Sequence, residues 1–466
     1  MAFPLWCGSM AADSSGAGGS YDPTPLVEKG GVIVVTINYR LGVLGFFAHP
    51  AIDAEGHTNA NYGLMDQQLA LKWVRRNIAA FGGDPNRVTI FGESAGGLSV
   101  YSNLASPTAK GLFHRAIAES GAYSSFQDYL QTIVPLTTAE TVGVPGQVPS
   151  GLAFAASVGC GGSQPAQCLR GLSAAKLVEA EPPGVLPIVD GTVLTKAPGP
   201  AFLSGAFNHV PVISGSNHDE YRYFVAVNEL ISGSPLTAAG YPHAVYSFLG
   251  LPGPPPDSPF ADFVITLYPL TADPTSPSIE LGALGTDVVF VCPARNADLL
   301  LSTQVPTYAY EFHDETAPSF LPPVSFPVGD AHFIEVQYLF DLEALGITPA
   351  FTPDQRELSD TMIGYWTHFA ERGIRTRRER RPGLSIARAV RWNLWWRRCR
   401  WRSRMRVSTW ITSVRGSGIR SEDEWQRGAR PRLRQGRAAP ARSIQVIRSC
   451  RPPVSSNPRA HRLQLI

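Results

Sequence analysis

The chain has 466 residues, 44% hydrophobic and 10% aromatic, a composition ordinary for a globular protein with a sizeable core. No run of about eighteen apolar residues is present, which excludes a membrane-spanning helix, and Met1-Ala2-Phe3-Pro4-Leu5-Trp6 lacks the basic start and sustained apolar stretch of a signal peptide. The formal charge of +2 conceals a split: from Ile374 onward there are 25 Arg, no Lys and 4 acidic residues, net +21, against 15 basic and 34 acidic residues, net −19, before it.

Six of the nine Trp also fall in this tail, so the two parts answer to different folding constraints. Residues 374–466 are expected to be disordered, and residues 1–15 form an aberrant entry with no clear period. Val32-Ile33-Val34-Val35-Thr36-Ile37 is a continuous β-branched run, the pattern of a strand buried on both faces of a parallel sheet. From Leu64 to Phe81, Met65, Leu69, Trp73, Val74 and Ile78 recur at helical spacing, and Gly82-Gly83-Asp84-Pro85 stops the helix. A strand over Arg87–Phe91 and a helix from Gly97 flank Gly92-Glu93-Ser94-Ala95-Gly96. Further strands are expected at Ala116–Ala118, Val210–Gly215 and Thr307–Phe312, and a last helix over Asp354–Arg372. Pro-rich stretches near 182–187, 252–259 and 321–327 read as surface loops, and no internal repeat is found. Strand and helix alternate, which implies a mostly parallel central sheet with helices on both faces.

The strand–turn–helix setting of Gly92-Glu93-Ser94-Ala95-Gly96 is what a nucleophile elbow requires: a sharp turn lifts the Ser94 hydroxyl above the sheet, and small neighbours let the backbone pack closely. A serine hydroxyl is a poor nucleophile at neutral pH, so it needs a base within reach and a carboxylate to orient that base. With this elbow the chain order is nucleophile, acid, histidine. Glu220 follows the strand over 210–215, with the adjacent Asp219 as the alternative acid. His332, in Gly329-Asp330-Ala331-His332-Phe333, is the best-placed base, because His243, His313, His368 and His461 lack its loop-to-helix setting. Cys160 and Cys168 bracket a short polar loop and either close a small disulfide, which would suit an oxidising compartment, or remain as two thiols. No zinc-type Cys spacing or His-Glu-x-x-His occurs, and neither metal nor cofactor is expected.

The chain resembles the type-B carboxylesterase/lipase family, the α/β-hydrolases that include the cholinesterases. The likeness rests on Asn61-Tyr62-Gly63-Leu64-Met65-Asp66-Gln67-Gln68, Asn77-Ile78-Ala79-Ala80-Phe81-Gly82-Gly83-Asp84-Pro85 and Phe91-Gly92-Glu93-Ser94-Ala95-Gly96-Gly97, with Asn38-Tyr39-Arg40-Leu41-Gly42 and Cys168-Leu169-Arg170 in support. It covers residues 16–373. The resemblance implies the α/β-hydrolase fold, Ser94 as nucleophile, Glu220 as acid, His332 as base, the Cys160–Cys168 disulfide, and hydrolysis of a small-molecule carboxylic ester through an acyl-enzyme. Ala95 N–H supplies one oxyanion donor, and the family's other donors come from a His-Gly-Gly-Gly turn upstream. Here that place holds Ser9-Met10-Ala11-Ala12-Asp13.

Both ends are consistent with translation out of frame. Pro4 to Asp13 can be encoded so that the frame one base earlier reads Pro-Ala-Val-Val-Trp-Ile-His-Gly-Gly-Gly. The stretch from Ile374 to Glu379 can likewise be read as Asp-Pro-Asn-Ala-Pro-Gly. On this view the first strands, any signal peptide of a secreted parent and the native C-terminal segment are missing, and poor solubility and impaired activity are expected. A non-catalytic member of the same fold is the competing expectation, against which the full set of three residues argues. An Arg-rich tail with interspersed Trp would attract phosphate, but misread sequence accounts for the same composition, so no specific nucleic-acid partner is expected.

Overall fold

The computed structural model describes residues 18–57, 60–123, 133–144, 149–182, 186–251 and 258–372, together with the backbone of two short strands at 2–4 and 464–465. The sheet runs in the order β1 (Ala2–Pro4), β2 (Thr89–Glu93), β3 (Arg115–Glu119), β4 (Val212–Asn217), β5 (Thr307–Phe312) and β6 (Gln464–Leu465). The first five strands are mutually parallel, and β6 lies antiparallel to β5. Parallel neighbours need crossovers, and the intervening helices supply them, covering both faces.

The register explains the two faces. Ile90, Ala116 and Val212 are aligned across β2 to β4, as are Phe91, Ile117 and Ile213. The first row packs with Leu71 and Val74 of the helix Tyr62–Asn77, Val100 and Leu104 of the helix Ala95–Ala105, and Ala297 and Leu301 of the helix Cys292–Ser302. The second packs with Leu26 of the helix Thr24–Gly30 and with Met362, Ile363, Trp366 and Phe369 of the helix Pro353–Arg372. Alternate side chains of a strand point to opposite faces, so two apolar rows one residue apart build two cores.

The expected elements recur with shifted ends. The long helix is Tyr62–Asn77 with a tighter 3-10 turn over Ile78–Phe81, and the strand before the elbow is Thr89–Glu93 rather than one beginning at Arg87. The strand expected over Val32–Ile37 is a correction: only a single bridge residue, Val34, is found there. Its side chains still alternate, with Val32 and Val34 in one core and Ile33, Val35 and Ile37 in the other. A β-branched pattern decides where side chains go, whereas a strand also requires a paired neighbour along its length. The Pro-rich stretch at 321–327 is irregular as expected, while 183–185, 252–257, most of 1–15 and nearly all of the tail lie outside the described residues. No helix among the described residues is long and apolar enough to cross a membrane.

Candidate active site

Ser94 stands between the end of β2 and the first residue of the helix Ala95–Ala105, at φ 55° and ψ −120°. A non-glycine residue there carries strain of roughly 1–3 kcal/mol, which persists only where surrounding bonds over-determine it. Ser94 N–H donates to Glu119 O at 2.9 Å, and Leu98 N–H donates to Ser94 O at 2.9 Å. The close approach falls one residue past the motif: a Cβ on Gly97 would lie 2.6 Å from Glu119 O and 2.8 Å from Gly121 Cα. Ala95 is the first helical residue, so its N–H is among those with no partner inside the helix.

The other expected residues converge on Ser94. His332 Nε2 is 2.8 Å from Ser94 Oγ, and His332 Nδ1 is 2.6 Å from Glu220 Oε2. His332 N–H also donates to Glu220 O at 3.1 Å, which ties the His332 loop to the turn after β4. The second Glu220 oxygen accepts from Ser120 Oγ at 2.6 Å and Asn217 N–H at 2.7 Å. Glu220 is fully buried and His332 is 1% exposed, and the rings of Phe290 and Phe224 lie 4.9 and 5.4 Å from the imidazole.

Asp219 does not join this chain. It pairs with His218 at 3.0 Å and with Arg222 at 2.9 Å. Burial alone would raise its carboxyl, but the His218 hydrogen bond and the Arg222 charge hold it well below the usual range. Adjacent residues after a strand face different neighbours, a separation that no spacing argument supplies.

Further carboxylates surround the site. Glu93 Oε1 lies 3.3 Å from His332 Nε2, and Asn217 Nδ2 donates to Glu335, a fully buried side chain three residues beyond His332. Burial holds the Glu335 carboxyl well above its ordinary range, with the Glu220 charge adding to it. Sequence reasoning missed Ser120, Asn217 and Glu335 as neighbours of the site. Glu93 stood inside the quoted motif, whereas nothing local distinguishes Ser120, whose φ of 51° is a tertiary feature. Cys160 and Cys168 form a disulfide with Cα atoms 5.5 Å apart, and Ser9 to Asp13 lie outside the described residues.

A parallel sheet covered on both faces, with Ser94 on a strained strand-to-helix turn, defines an α/β-hydrolase. The profile described as "Carboxylesterase family" matches residues 7–394, and the chain belongs to that family. Its relatives include an acylcarnitine hydrolase of Mus musculus, 34% identical over 77% of this chain and 62% of the relative. A cocaine esterase of Homo sapiens is 35% identical over 76% and 61%. A para-nitrobenzyl esterase of Bacillus subtilis (strain 168) is 33% identical over 76% and 67%. The chain thus spans about three fifths of the length of the two mammalian relatives.

Proposed function

We propose that this chain hydrolyses small-molecule carboxylic esters through an acyl-enzyme on Ser94. The observation that carries the proposal is the chain of hydrogen-bond contacts from Ser94 Oγ to His332 at 2.8 Å and from His332 to Glu220 at 2.6 Å. In the reacting tautomer His332 Nδ1–H donates to Glu220, which leaves Nε2 to accept the Ser94 proton as Oγ attacks the ester carbonyl. The imidazolium then returns that proton to the departing alcohol. Water repeats the sequence on the acyl group, and Ser94 is released. Glu220 orients the ring and balances its transient charge, while Ala95 N–H donates to the oxyanion.

The names of the relatives point to different substrates and share hydrolysis, which supports the class of reaction rather than one ester. The three residues assigned to the chemistry on this reading all fall within residues 16–373. Loss of an oxyanion donor costs roughly 100- to 1,000-fold in rate, so turnover is expected to be slow if Ser9 to Asp13 do not replace the family's turn. A fluorophosphonate probe tests the proposal: folded protein should form one adduct, mapped to Ser94 and absent from Ser94→Ala. Folded protein that stays unlabelled under prolonged exposure removes the reading.

A further inference from the structure

At the carboxyl ends of β4 and β5 a second cluster of side chains meets, outside the Ser94–His332–Glu220 chain. His218 follows β4, His313 follows β5, and Asp330 lies in the loop that leads to His332. The two imidazole rings are 4.4 Å apart. His313 Nδ1 is 2.9 Å from Asp330 Oδ2, and His218 Nδ1 is 3.9 Å from Asp330 Oδ1. One ligand-competent atom from each of the three residues falls within 4.8 Å of the others.

The contact between two buried carboxylates marks this as more than a hydrogen-bonded surface cluster. Asp330 is completely buried, yet its Oδ1 has no hydrogen-bond partner. Asp219 is 6% exposed and its carboxylate comes within hydrogen-bonding reach of Asp330, while its Oδ2 makes no aligned hydrogen bond although Arg222 lies close by. Two buried carboxylates in contact repel one another unless a proton or a cation is shared between them. Arg222 bonds toward Asp219 and the Pro327 carbonyl and His218 Nδ1 lies 3.0 Å from Asp219 Oδ1, so on the Asp330 side the hydrogen-bonded imidazole is that of His313, with His218 at 3.9 Å.

We propose that His218, His313 and Asp330 bind a borderline divalent transition metal, zinc in the first instance, with Asp219 as the adjoining carboxylate. Imidazole nitrogens favour such ions over calcium or magnesium, and two nitrogens with one carboxylate oxygen make three of the four donors of a tetrahedral zinc, water or Asp219 filling the fourth place. Ligands about 2.0–2.1 Å from a tetrahedral zinc stand roughly 3.4 Å apart, so the three ligand atoms, all within 4.8 Å of one another, would have to close in by up to about 1.4 Å. The His218 and His313 side chains are 20% and 36% exposed, which provides an entry path. Three ligands drawn from positions 218, 313 and 330 leave no short motif, which is why spacing rules pass over them. Bound metal would tie together the ends of β4 and β5 and the loop entering His332.

The test uses the full chain, stripped with EDTA and titrated with Co2+ as the spectroscopic stand-in for Zn2+. One equivalent should develop the visible bands of four-coordinate cobalt, zinc should displace it, and a 100-fold excess of Zn2+ over its Kd should raise the Tm by several degrees. His218→Ala and His313→Ala should each abolish the bands and the Tm rise. His313→Asn, which retains a polar group beside Asp330, provides a folded variant that also fails to bind. The proposal is overturned if folded protein shows neither bands nor stabilisation at 1 mM metal, the result expected of a shared proton. It is equally overturned if binding persists in His218→Ala and His313→Asn, which would locate the metal elsewhere.

Discussion

Glu119 shows how far a single buried carboxylate governs the region around the elbow. It is in register with Glu93 on one side and Gly215 on the other, and Trp366 Nε1 donates to its Oε1 at 3.0 Å. Burial pushes its carboxyl up to about 8, with the Trp366 hydrogen bond acting in the opposite direction. In the unfolded chain the same group loses its proton near the ordinary value of 4.5. Between those values the folded state binds more protons than the unfolded one, so stability is fully present at the acid end and falls as pH rises. The loss approaches about 1.4 kcal/mol per pH unit. Glu119→Gln mimics the neutral form and keeps an oxygen for Trp366. Its Tm should therefore decline less than that of the parent protein between about pH 5 and 8. Parallel Tm curves for the two proteins would show that another group carries the dependence.

At the scale of elements, the elbow depends on a helix that lies almost in backbone contact with the turn after β3. A Cβ on Gly121 would sit 2.2 Å from the Gly97 carbonyl carbon and 2.3 Å from Gly97 Cα, with no flexible side chain to yield. Gly121→Ala must therefore push the helix Ala95–Ala105 away from the sheet, an overpacking cost of about 1–3 kcal/mol or more. It should lower the Tm by several degrees and suppress fluorophosphonate labelling, because Ser94 shifts from His332. Gly162→Ala, where a Cβ meets nothing within 4 Å, is the matched control and should change neither. Equal effects of the two substitutions would show that the helix contact is not what sets the elbow.

For the whole molecule, the division of charge is the dominant physical fact. A net +21 over residues 374–466 follows a net −19 over the preceding residues, whatever the origin of the tail. Polyanions release counterions when they bind such a segment, so full-length protein should bind heparin and unrelated DNA duplexes alike, with an affinity that falls steeply with salt. Removing residues 374–466 should abolish that binding. A strong preference for one duplex sequence would contradict the expectation that no specific nucleic acid is a partner.

The sequence by itself determined the alternation of strand and helix, the elbow at Ser94 and its candidates Glu220 and His332. Strand alternation, helical spacing and turn residues are short-range, and a family resemblance carries the pattern between distant positions. Thr307–Phe312 was legible to the residue because a strand flanked by turns is a local object. Tertiary structure alone decided that Ser120 and Asn217 N–H both serve Glu220, and that Val32–Ile37 packs like a strand without a ladder. It alone brought His218, His313 and Asp330 together. Those outcomes depend on sheet register and loop direction, which bring together residues such as Ser120 and Glu220, 100 positions apart in the chain, and leave no trace in local spacing.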